Sequence, residues 1–168
     1  MRDHPPAGLA ILLALAALVS GCSGSGSRAP CLTNDPMAIT FPFQRLENMS
    51  HEAEGDTELA RFAFDPAALG EVTVTVEPAL GPFVEFNTGQ ATDVQGDRLW
   101  SVRIEGLVGG ASTDQVRATP SETHRIRNIV QVVDQNAFRW VVGTAAGACV
   151  RLGNEPNDAV VVVHVSAP

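Results

Sequence analysis

Val72-Thr73-Val74-Thr75-Val76 alternates aliphatic and hydroxyl side chains at every step. A period of two sends successive side chains to opposite faces of an extended chain, so the valines share one face and the threonines the other. All five residues are β-branched, which suits a pleated surface better than a helix. The stretch reads as a strand with one buried face. The same period recurs on both sides of it. Trp100, Val102 and Ile104 alternate with Ser101, Arg103 and Glu105. Ile126 to Val133 is a longer candidate with more buried character, and Phe138 to Val142 follows after Asp134-Gln135-Asn136, a hairpin-turn cluster. Cys149 to Leu152 and Ala159 to Val165 flank a second turn cluster, Gly153 to Asp158. Leu59 to Phe64 and Phe83 to Phe86 are shorter apolar runs.

Helix has little room. Pro66-Ala67-Ala68-Leu69-Gly70 reads as one helical turn closed by glycine, and His51 to Gly55 is too short and polar to need one. A long loop from Gly106 to His124 carries Gly109-Gly110, Ser112, Thr113, Pro120 and Ser121. About eight strands, with turn signals roughly every ten to fifteen residues, predict an all-β fold. The expected form is a single β-sandwich with Greek-key-like connections.

The N-terminus has a different grammar. An apolar run from Leu9 to Leu18 precedes Val19-Ser20-Gly21-Cys22, and Ser23-Gly24-Ser25-Gly26-Ser27 follows. About ten apolar residues suit a signal-peptide core and are too few to cross a bilayer of roughly 30 Å as a helix. An aliphatic residue and two small residues before Cys match a lipoprotein signal. The expected organisation is a signal peptide over 1–21, a lipidated Cys22 with a Gly/Ser tether over 22–30, and the β-sandwich over 31–168. More than one acyl chain gives stable anchoring. The expected address is therefore the outward, extracytoplasmic face of the cell membrane, with membrane contact through the N-terminal lipid.

The formal net charge is −8, and all 11 basic residues are Arg. An acidic domain is a poor partner for nucleic acid. The lack of Lys removes P-loop and Schiff-base chemistry. Of three Cys, Cys22 is assigned to lipid. Cys31 and Cys149 remain as a pair in an oxidising compartment and are expected to form a disulfide.

The ordered series of strands resembles the AMIN-like domain of actinobacterial lipoproteins and secreted proteins. Leu46 to Phe64 looks like that family's opening hairpin, with a His-containing turn leading to Phe62 and Phe64. Trp100-Ser101-Val102-Arg103-Ile104-Glu105-Gly106 looks like its central strand ending in Gly. Ile126 to Val133 with Phe138-Arg139-Trp140-Val141-Val142-Gly143 looks like its paired strands, and Pro156 to Val165 like its closing strand. Asp158 and His164 depart from the basic and acidic residues expected at that last strand. The resemblance implies a β-sandwich, an envelope role and attachment to peptidoglycan or to an envelope protein. It implies no catalytic residues.

Chemistry-bearing patterns are sparse. His51-Glu52-Ala53-Glu54 lacks His-Glu-x-x-His spacing, so no metal and no cofactor is expected. No Gly-x-Ser-x-Gly elbow is present. The candidate ligand-binding residues are Arg125, Arg127, Arg139 and Trp140, on or beside two strands expected to pair. Guanidinium groups suit carboxylates and an indole suits the apolar face of a sugar, and both ligands occur in peptidoglycan. The leading expectation is non-enzymatic binding. The alternative is a hydrolase acting on cell-wall material.

Overall fold

In a computed structural model, residues 30–108, 117–118 and 125–168 are described. The signal peptide, Cys22 and nearly all of the tether lie outside them, as does most of the Gly106 to His124 loop, including His124. Twelve strands are present among the described residues. They are β1 (Met37–Phe43), β2 (Leu46–Glu54), β3 (Thr57–Phe64), β4 (Leu69–Pro78), β5 (Phe83–Val84), β6 (Ala91–Thr92), β7 (Arg98–Glu105), β8 (Arg117–Ala118), β9 (Ile126–Val132), β10 (Phe138–Thr144), β11 (Cys149–Glu155) and β12 (Val160–Ser166).

Two antiparallel sheets form the layers. One has the order β1-β4-β7-β10-β9-β8 and the other β11-β12-β3-β2, while β5 and β6 form a small hairpin of their own. β1 and β4 are neighbours although the hairpin β2–β3 between them belongs to the opposite sheet. The chain thus changes sheets between consecutive strands, in the Greek-key manner. The alternation at Val72 is the reason the layers close. Val72, Val74 and Val76 are fully buried, and their rows continue into Val102 and Ile104 of β7, which lie opposite Val76 and Val74. Phe62 and Phe64 of β3 face them from the other sheet in one core, with Phe62 edge-on to Trp140 at 5.2 Å between ring centroids. Burial of such side chains contributes about 1.5–3 kcal/mol each.

The disulfide Cys31–Cys149 ties the first described residues to the start of β11. Beside it Leu32 N–H donates to the Val150 carbonyl at 2.7 Å. Several local expectations are corrected. Met37–Phe43 forms a strand that periodicity did not flag, because Pro42 interrupts it; proline is tolerated there since β1 is a sheet edge. Pro66 to Gly70 is no helix. Asp65 holds it as a tight turn, accepting from Ala67 N–H at 2.8 Å through Oδ1 and from Ala68 N–H at 3.1 Å through its carbonyl, and β4 starts at Leu69. His51 to Glu54 belongs to β2 rather than to a turn. Gly153 to Glu155 continue β11, so only the 3-10 turn Pro156–Asp158 and Ala159 separate the last strands.

The outer face of the larger sheet carries a second layer of chain. Ala79 and Phe83 pack on Val130, Val132 and Val141 there. Further along, the segment around Gln95 and Gly96 crosses β10 so closely that a Cβ at Gly143 would collide with the Gln95 carbonyl. That glycine is required by the close backbone approach.

Candidate functional site

The four residues expected to form a binding face do not share one. Trp140 points into the core, 2% exposed, between Phe62 and Phe138, so its ring faces are closed to a sugar. Even-numbered residues of β10 face inward, and this register buries the indole. Arg139, on the opposite face, lies directly across from Arg103 of β7. Its Nε donates to the buried Ser101 hydroxyl at 2.8 Å, and its guanidinium sits 5.7 Å from the Phe83 ring centroid. Arg127 is exposed near the opposite end of β9, about 17 Å of strand away from the residue that faces Arg139. It borders an open depression of ≈ 590 Å³ with Asp93 and Asp97, acidic company that disfavours a carboxylate ligand. Arg125 is half-buried, and its backbone N–H donates to Glu58.

The site that the fold does assemble lies at the other end of β9, where the β9–β10 hairpin meets the exit of β7. A cavity of ≈ 290 Å³ is bounded there by Ile104, Leu107, Phe138 and Phe86 on its apolar side. Gln131, Asp134, Gln135 and Asn136 supply its polar side. The turn holds its own shape: Asp134 Oδ1 accepts from Asn136 N–H at 3.1 Å, and Asp134 Oδ2 accepts from Arg103 Nε at 3.3 Å. Arg103 also meets Glu105 at 3.0 Å. Phe86 is fixed by its N–H donating to the Gln131 carbonyl at 3.0 Å, yet its side chain is 42% exposed. Val84 and Val133, also partly exposed, join it through the Val133 N–H to Val84 carbonyl bond at 2.8 Å.

Gln131 is the unusual member. It is 2% exposed, and its side-chain nitrogen has no hydrogen-bond partner among the described residues. A buried amide left unpaired costs about 1–3 kcal/mol. Its cross-strand neighbour Trp140 gives no relief, since the indole is itself a donor without a partner there. Sequence reasoning passed over Gln131, although one amide inside Ile129-Val130-Gln131-Val132-Val133 was a usable signal.

Two ionisable clusters lie elsewhere. Glu58 is 4% exposed at the start of β3 and accepts the backbone N–H groups of Arg125 and Ile126 at 2.9 and 2.8 Å. His51 Nε2 lies 3.7 Å from its carboxylate. On the outer face of the smaller sheet, His164 stands over Gly153. Burial lowers its pKa below the usual histidine value; Glu155 and Glu54 oppose the shift, while Arg151 and Arg61 reinforce it. No group of three or more His, Cys, Asp or Glu side chains among the described residues is placed to hold a metal ion.

Fold and site together define a two-layer antiparallel β-sandwich with a small mixed cavity at one hairpin end. No protein-family model, curated protein or solved structure matches the chain.

Proposed function

We propose that this chain is a lipid-anchored protein of the cell envelope whose β-sandwich binds peptidoglycan without cleaving it, through the cavity at the β9–β10 hairpin. One observation carries the reading: a concave, half-apolar cavity that contains a buried amide without a partner among the described residues, a combination typical of ligand sites. The chemistry of the wall favours binding over hydrolysis. Asp134 is the one carboxylate among the described residues that bound the cavity, and it is held by Arg103. Glycoside cleavage by the usual route takes two carboxyl groups. The hydrolase alternative therefore draws no support from this cavity.

The Val19-Ser20-Gly21-Cys22 signal supports the anchor and the outward-facing address. The resemblance to AMIN-like domains supports a wall or partner ligand. A second reading, docking of an envelope protein, is favoured by the exposed Val84, Phe86 and Val133 beside the cavity. The anchor is tested by Cys22→Ser, which is expected to release the protein from membranes. Retention of that variant as an integral lipoprotein would remove the anchor. Wall binding is tested by co-sedimentation of the full chain with purified peptidoglycan.

A further inference from the structure

The cavity at the β9–β10 hairpin also specifies the kind of group it would hold. At ≈ 290 Å³ it stands at the small end of ordinary ligand sites, so it takes one residue-sized unit rather than a polymer. Asp134 is held by Arg103, which also meets Glu105, so the site offers no unengaged cation to an anionic ligand among the described residues. The chain as a whole is strongly acidic, which disfavours an anionic ligand. An uncharged ligand group meets no such penalty.

The wall is also bifunctional. The Gln131 carboxamide has a nitrogen donor without a partner among the described residues. Asp134 has acceptor capacity left, since each carboxylate oxygen receives a single described hydrogen bond and can accept another. Ile104, Leu107 and Phe86 of the same lining offer apolar surface for an alkyl substituent. One donor, one acceptor and a small apolar surface are the complement of a secondary amide.

We infer that the hairpin cavity is a secondary-amide site: Gln131 donates to the ligand carbonyl, Asp134 accepts the ligand N–H, and the apolar wall takes the adjoining methyl or methylene. The inference rests on the binding reading above and names the group that is bound. Secondary amides reach such a site from acetamido sugars or from short peptides, and the two sources separate experimentally.

The test is a calorimetric titration of the full chain in mild detergent with three probes at millimolar concentration. They are a trimer of N-acetylglucosamine, N-acetyl-alanyl-alanine N-methylamide, and cellotriose, which has hydroxyl groups and no amide. At least one amide probe is expected to bind about ten-fold more tightly than cellotriose, the effect of one well-made hydrogen bond in a buried site. The tighter amide probe assigns the source. Gln131→Leu removes the amide at similar size, so its unfolding midpoint is expected to stay level or rise while the amide preference disappears. Phe86→Ala, at an exposed position, is expected to weaken the same probe without unfolding the domain. Equal binding of all three probes, or an amide preference that survives Gln131→Leu, overturns the inference. Co-sedimentation with peptidoglycan alongside failure of both amide probes overturns the amide site and leaves the binding reading standing. Failure of both measurements overturns both.

Discussion

Glu58 offers the sharpest test of how the two sheets are joined. Its carboxylate leaves the start of β3 in one sheet, lies buried, and receives the Arg125 and Ile126 N–H groups where the other sheet begins β9. Both bonds are short and carry an ionised acceptor, a class worth about 1.5–3 kcal/mol each. Truncation by Glu58→Ala removes both and takes this acceptor away from two amide donors near the core. Water entering at the sandwich end recovers part of this, so the expected loss is about 3–5 kcal/mol of unfolding free energy. Glu58→Gln keeps one acceptor oxygen but turns an amide NH2 toward the second N–H, with an expected loss of about 2 kcal/mol. Urea unfolding followed by tryptophan fluorescence measures both, because Trp100 and Trp140 are almost fully buried. With a slope near 2 kcal/mol per molar urea, the Ala variant should melt about 1.5–2.5 M earlier. A Glu58→Ala variant within about 1 kcal/mol of the parent would refute the idea that this carboxylate clamps the sheets.

Three further outcomes are expected. Replacing Cys31 and Cys149 together by Ala opens a link spanning 118 residues, for which chain entropy sets an upper loss of about 4–5 kcal/mol. At about 2.1 cal/mol/K of unfolding entropy per residue, Tm should fall by up to roughly 15 °C, and a fall under about 3 °C in a thermal melt would show that other contacts hold the N-terminal segment. Gly143→Ala places a methyl against the Gln95 carbonyl and should destabilise by about 1–3 kcal/mol, read by the same urea melt; an unchanged midpoint would deny the close crossing. His164 has a pKa below its unfolded value because burial disfavours its charged form. The unfolded chain then binds more protons, so stability should fall as pH drops through about 6.5 and below. His164→Gln should flatten that slope, and an identical slope in the variant would assign it to other groups.

The layers of the fold were legible because one-sided burial imposes a period of two. Val72 to Val76, Trp100 to Glu105 and Phe138 to Val142 carry that period and form strands of the larger sheet. The Cys31–Cys149 link was legible because two cysteines remained after Cys22 was set aside. Edges and turns were not. Met37–Phe43 pairs on one side only, so Pro42 fits within it, and Pro66 to Gly70 is shaped by Asp65, outside the stretch that looked helical. The binding site was read least well. Arginine and tryptophan were weighed by chemical character, but strand parity sends Trp140 inward and about 17 Å of strand lies between Arg127 and the residue that faces Arg139. Gln131 gains meaning only when Phe86 and the Asp134 turn close around it, contacts made by loops with no period to read.

The central claim, that the hairpin cavity binds the cell wall, meets its most direct test in co-sedimentation with purified peptidoglycan. The full chain is compared with Phe86→Ala at the cavity and with Leu69→Ala, a still more exposed apolar position beside the separate depression at Thr40 and Pro42. The account predicts that the parent and Leu69→Ala pellet with the wall while Phe86→Ala stays in the supernatant. A parent protein that remains soluble, or a Phe86→Ala variant that pellets as fully as Leu69→Ala, would contradict it.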